Sequence, residues 1–135
     1  TGHLVLSTLH TNDAASAIAR LIDLGVEPFL VCSSLTGVLA QRLVRRVHAA
    51  CRGHGCEACM GSGYKGRTGV FELLEITPEA RELIAARAAS DRIAAQATGQ
   101  GMTSLREAGR GLVAAGVTTS AEVARAITVT DEEVV

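Results

Sequence analysis

Residues 3–9 (HLVLSTL) form a run in which apolar and β-branched residues dominate, and its length suits a buried strand. The run stops at a polar cluster, His10-Thr11-Asn12-Asp13. Asp13 is a good N-cap, because its short carboxylate can accept an orphan N–H from the first turn of a helix over residues 14–24. Ala17, Ile18, Leu21 and Ile22 share one face of that helix, and Gly25 supplies its stop. Pro28 fits a first helical position. The run through Phe29, Leu30, Leu35, Val38, Leu39 and Leu43 predicts a continuing helix, or two helices broken near Gly37.

The pattern changes abruptly over residues 48–67, where Cys, His and Gly replace apolar side chains; the segment reads as a loop held by something other than a core. Strand chemistry returns over residues 68–76 (TGVFELLEI). Thr77-Pro78-Glu79 then combines a cap, a first-turn proline and an early acid, predicting a helix. Three short helices follow: Ser90 caps residues up to 97, Thr103 those up to 115, and Thr119 with Glu122 forms a capping box for the last. Gly116 ends the middle one of the three, and residues 130–135 carry no pattern that predicts an element.

Composition narrows the reading. At 135 residues and 47% apolar content the chain suits one modest body rather than two domains. With two Phe, one Tyr and no Trp, the core must come from Leu, Val, Ile and Ala, which favours helices over a sandwich of strands. Basic and acidic residues nearly cancel, 13 against 14, which argues against a nucleic-acid partner. No run of eighteen apolar residues and no leader pattern occurs, so a cytoplasmic protein is the simplest expectation. The first residue is Thr, and the chain enters a strand-like run at once, as expected of a piece excised from a longer protein.

Two constellations can carry chemistry. Ser7, Thr8, His10, Thr11 and Asn12 stand at the end of the first apolar run, where an open α/β sheet places ligand contacts; His10 can donate to a phosphate or orient a water, while Asn12 and Asp13 can equally serve as helix caps. The second is His48-x-x-Cys51 followed by Cys56-x-x-Cys59. Each pair, with two intervening residues, lets a turn aim both side chains at one ion, and two such turns complete a tetrahedron suited to zinc. Cys51-x-x-His54 is a competing first pair, so His54 is the alternative to His48; free thiols or a disulfide are the blander readings. Cys32, inside an apolar helix, reads as a buried thiol. Arg42, Arg45 and Arg46, with Lys65 and Arg67, form a basic cluster without interleaved aromatics, which argues against a nucleic-acid patch and reads as a solvated face.

The string TGHLVLSTLHTNDAASAIARLIDLGVEPFLVCSSLTGVLAQRLVRR resembles the histidine box and following helices of type II secretion and type IV pilus assembly ATPases. The likeness resumes in GSGYKGRTGVFELLEITPEARELI and in GMTSLREAGRGLVAAGVTTSAEVARAI, so it covers nearly the whole chain. It implies an α/β fold, the C-terminal portion of a RecA-like P-loop ATPase domain with a zinc knuckle and a small helical C-terminal cluster. The implied division is the end of the ATPase core (1–47), the knuckle (48–67), a strand plus helical cluster (68–129) and a tail (130–135). In the family the box histidine, here His10, lies near the nucleotide phosphates, and Thr8 and Thr11 are implied as nucleotide contacts.

The family's cofactors would be ATP and magnesium in the full-length protein with structural zinc at His48, Cys51, Cys56 and Cys59. Its partners would be five further copies in a ring of six and the inner-membrane platform proteins of a secretion or pilus system, placing it peripherally at that membrane. No G-x-x-x-x-G-K-[ST] occurs in this chain, so the piece alone is expected to bind ATP feebly. The family ordinarily carries two Cys-x-x-Cys pairs here. In this chain His48 replaces the first cysteine, and the intervening loop is cut to Arg52-Gly53-His54-Gly55. A retraction motor of the same superfamily and a non-enzymatic zinc-stabilised adaptor are the alternative readings.

Overall fold

A computed structural model describes residues 2–132, with side chains described as far as Ile127. Six helices accompany one two-stranded antiparallel sheet among the described residues. Helix α1 (Ala14–Asp23) begins where Asp13 accepts the N–H of Ser16 at 2.7 Å, and it stops before Gly25, whose φ of 100° only glycine adopts readily. Helix α2 (Pro28–Ser34) takes Pro28 in its first turn. Strand β1 (Gly37–Val47) pairs with β2 (Tyr64–Glu75), with Leu39 opposite Leu73 and Val44 opposite Thr68. The remaining helices are α3 (Pro78–Ala85), α4 (Ser90–Gly99), α5 (Leu105–Ala114) and α6 (Ser120–Glu132).

The core lies between the inner face of the hairpin and the helices. Val44, Val70 and Leu74 point inward from alternate strand positions and meet Ile18, Ile84, Ile93 and Leu105. Helix α1 packs on α4 and both strands, α5 on β2, and α6 on α5 and β1. The outer face of the hairpin carries Leu39, Leu43, Phe71 and Leu73, all exposed.

Several local readings are corrected. Residues 3–9 are not a strand: Leu4, Val5 and Leu6 are exposed, and no described strand pairs with them, which β-structure requires whatever the local propensity. The second helix ends at Ser34, and residues 37–47 form β1 because pairing with β2 satisfies the backbone while Ala40 and Val44 are buried on one face. Helix starts shift by a residue: Ala89 rather than Ser90 occupies the cap of α4, and Ser104 rather than Thr103 caps α5 by accepting from Glu107. Helix α6 runs on to Glu132, into the segment for which no element is predicted. Its capping box is only half made, since Thr119 accepts the N–H of Glu122 at 3.1 Å while the Glu122 carboxylate turns to two arginines.

Candidate metal centre and the His10 segment

The hairpin's connection, residues 48–63, gathers four donor atoms. His48 Nδ1 and the sulfurs of Cys51, Cys56 and Cys59 all lie within 4.8 Å of one another. His48 enters directly from the end of β1, its N–H bonded to the Gly63 carbonyl at 2.8 Å, so the two ends of the loop are tied beneath the cluster. Cys56 and Cys59 sit at either end of a 3-10 turn (Glu57–Cys59), whose tight spacing aims both sulfurs the same way. The Cys51–Cys59 and Cys56–Cys59 sulfurs are 3.9 and 3.6 Å apart, and His48 Nδ1 lies 3.5 Å from Cys51 and 3.3 Å from Cys56. A tetrahedral ion with metal–sulfur bonds of about 2.3 Å and metal–nitrogen bonds of about 2.0 Å requires edges of about 3.8 and 3.5 Å, so the cluster could hold one.

The backbone is built toward these sulfurs. Gly55 N–H points at Cys51 at 3.3 Å; the N–H groups of Cys56 and Gly63 point at Cys59 at 3.2 and 3.3 Å. Burial pushes the Cys59 thiol up, but those two N–H groups, the Cys56 thiol and His48 outweigh it and bring it to about 5, so thiolate prevails at neutral pH. The Cys56 thiol is shifted the other way: the Cys59 N–H lowers it, yet desolvation and the neighbouring Cys59 and Cys51 thiols leave it raised. Two glycines make the short loop possible. A Cβ on Gly55 would lie 2.7 Å from the Gly61 carbonyl oxygen, and one on Gly63 would collide with the Gly53 carbonyl; both have positive φ. His54 stands outside the four-donor group and is exposed, although its N–H bonds the Cys51 carbonyl. Cys32 is half-buried on α2, with its sulfur 3.4 Å from the Arg81 carbonyl oxygen.

The knuckle is fastened to the body through the loop end of the hairpin, where β1 ends and β2 begins. Arg45 lies over the Tyr64 ring at 4.2 Å, Tyr64 Oη is 2.6 Å from Thr119 Oγ1, and Val47 N–H donates to the Val117 carbonyl. Glu122, its side chain fully buried, accepts from Arg45 Nε and backbone N–H and from Arg125 Nε. The fork of Arg125 holds its carboxyl far below the ordinary carboxylate range; burial opposes this, and Arg45 adds to it. None of these roles for Glu122, Tyr64 or Thr119 has a sequence signature beyond the Thr119 cap.

Ser7, Thr8 and His10 are exposed on the segment before α1, which has no regular secondary structure, and Thr11 is half-buried, its hydroxyl donating to the Asp13 carbonyl at 3.2 Å. The structure therefore groups the knuckle residues with one another and leaves Thr8, His10 and Thr11 on a separate segment. The basic cluster divides likewise. Arg42 turns inward to the Thr11 and Asn12 carbonyls, Arg45 binds Glu122, and Arg46, Lys65 and Arg67 are exposed.

Residues 1–125 match the sequence profile of a family described as type II/IV secretion system protein. The chain is 51% identical over 133 residues to the type II secretion system protein HxcR of Pseudomonas aeruginosa, covering 93% of this chain and 28% of that one. It is 44% identical over 158 residues to the type II secretion system protein E of the same organism, covering 98% and 31%. Against the type IV pilus assembly ATPase PilB of Thermus thermophilus the identity is 44% over 150 residues, covering 91% and 17%. The chain thus spans less than a third of the length of these relatives.

Proposed function

This chain belongs to the type II/IV secretion system protein family, and on that premise we propose that it is the C-terminal part of an ATPase that powers type II secretion or type IV pilus assembly. The observation that carries this reading is the match across residues 1–125, together with relatives at 44–51% identity that are named as secretion proteins or as a pilus assembly ATPase. The full protein would form a RecA-like, six-membered ring on the cytoplasmic face of the inner membrane, bind ATP with magnesium, and turn hydrolysis into pilus or pseudopilus extension through platform proteins. No described helix is long and apolar enough to cross a membrane.

His48, Cys51, Cys56 and Cys59 would hold zinc. The edge lengths of the cluster and the N–H groups aimed at its sulfurs support that assignment over His54. Bound there, zinc supplies cross-links where apolar packing is absent. His10 would contact the phosphates, with Thr8 and Thr11 beside it. Phosphoryl transfer depends mainly on positioning and charge stabilisation, so His10 would tune hydrolysis, while a phosphate loop elsewhere in the protein grips the nucleotide.

In the full-length protein His10→Ala is expected to lower ATP hydrolysis about tenfold or more while nucleotide affinity stays within about twofold. Unchanged turnover would return His10 to a purely structural role, and lost binding would mean that residues 8–11 provide the grip. The 135-residue chain by itself should show no hydrolysis above buffer, because it has no G-x-x-x-x-G-K-[ST] loop. Turnover that disappears in the His10→Ala chain would contradict this.

A further inference from the structure

From the inner face of the hairpin, two charged side chains reach the backbone that immediately follows His10. Arg42 Nη2 donates to the Asn12 carbonyl at 2.6 Å and to the Thr11 carbonyl at 3.1 Å. Its Nη1 is engaged by the Gln41 carbonyl at 2.8 Å, which fixes the plane of the guanidinium. Two positions further round the sheet, Glu72 is 6% exposed and uses both oxygens on helix starts: Oε1 accepts from Ala14 N–H at 3.0 Å, and Oε2 from Leu105 N–H at 2.9 Å. Ala14 opens α1 and Leu105 opens α5, so one carboxylate meets the positive ends of two helix dipoles. Within four residues, Thr11 to Ala14, three backbone groups are therefore held by side chains some thirty or sixty positions away in sequence.

His10 itself has no such hold among the described residues and stands exposed. Its placement relative to the sheet is inherited from the residues that follow it. Both carbonyl bonds come from the one nitrogen, Nη2, while Nη1 is tied to the Gln41 carbonyl, so the planar guanidinium is held at three points and restrains that backbone more than a single hydrogen bond or a lysine's freely rotating ammonium would. We infer that Arg42 is a positioning residue for His10: by clamping the Thr11 and Asn12 carbonyls it sets the imidazole's approach to the nucleotide, with Glu72 fixing the start of α1 behind it. This rests on the reading of His10 as a phosphate contact given above, and it separates Arg42 from the exposed cations Arg46, Lys65 and Arg67, which touch no part of this segment in the described contacts.

The test is a double-mutant cycle in the full-length protein with Arg42→Lys, Arg42→Gln, His10→Ala and each Arg42 variant combined with His10→Ala. A shift of the histidine by an ångström or less suffices to lower kcat about tenfold. Arg42→Gln is expected to show that fall with KM for ATP within about twofold, Arg42→Lys to recover only part of it, and the combined variants to be no slower than His10→Ala alone. Hydrogen exchange of the amides at residues 10–16 should quicken in Arg42→Gln, while the melting temperature and zinc content match the parent.

Losses that multiply in the combined variants would overturn the inference, showing that Arg42 acts apart from His10, and so would full activity in Arg42→Gln. If His10→Ala alone is fully active, the reading of His10 fails on its own evidence. Faster exchange at residues 10–16 in Arg42→Gln would then reduce Arg42 to an anchor with no positioning role.

Discussion

Glu122→Ala is expected to destabilise the fold by about 3 kcal/mol, because it leaves two arginines and a strand N–H without the buried acceptor that joins them. The carboxylate takes five hydrogen bonds from Arg45 and Arg125, which closes off every lone-pair direction it has. Glu122→Gln should cost less than alanine but more than a surface change, since an amide nitrogen must then face a guanidinium. Chemical denaturation of the three proteins at neutral pH measures both steps; a loss below about 1 kcal/mol for alanine would mean that the half-exposed arginines are content with water.

The pH dependence follows from the direction of the shift. Folding lowers the Glu122 pKa, so the unfolded chain binds this proton more readily than the folded one. Its contribution is complete above the unfolded value, about 4.3, and falls away as the pH drops below it toward the folded value. Parental stability should decline through that acid window by at most about 1.4 kcal/mol per pH unit from this group, less what screening removes. Glu122→Gln should lack that portion of the decline.

Cys59→Ser is expected to have the second large effect: loss of most bound metal. Cys59 is the buried sulfur of the four donors, and two backbone N–H groups are aimed at it. Even partners one shell out from a metal cost 10–100-fold in affinity when removed, so a ligand thiolate should cost at least about 100-fold. His48→Ala should weaken retention as well, while His54→Ala should leave it unchanged; equal retention in both histidine variants would indicate three protein ligands. Chelation should speed hydrogen exchange over residues 48–63 and spare α1 through α5, whose core of Val44, Val70, Leu74, Ile84 and Ile93 does not involve the knuckle.

Features set by a residue and its immediate neighbours were legible in the sequence. Asp13 and Thr77 cap where their side chains can reach an orphan N–H three residues on, and Pro28 and Pro78 open helices because a missing donor does no harm there. The four-donor cluster belongs to the same class, since two turns of fixed spacing do most of the geometric work. Residues 37–47 were misread because Leu39 and Leu43, which stand on the outer face of β1, fall at helical spacing with Leu35. Only the partner strand 26 or so positions later reveals the period of two that buries Ala40 and Val44. Residues 3–9 failed in the opposite sense, having strand chemistry with no described strand to pair.

The charged residues were least legible of all. Glu72, Glu122 and Arg42 look like surface positions in a string, and their roles exist only because the fold places helix starts, carbonyls and guanidiniums around them. A buried carboxylate between two arginines and one between two helix N-termini leave no spacing pattern. The role proposed for His10 belongs to a third class: local propensity marks a polar strand end, and only the resemblance to the family singles out the histidine.

The most direct test of the account is the metal content of this chain, purified without added metal and measured by elemental analysis alongside thiol titration. One zinc per chain is expected, with Cys32 reactive and Cys51, Cys56 and Cys59 protected until a chelator is added. Zinc near zero, with all four thiols titrating freely from the start, would contradict it.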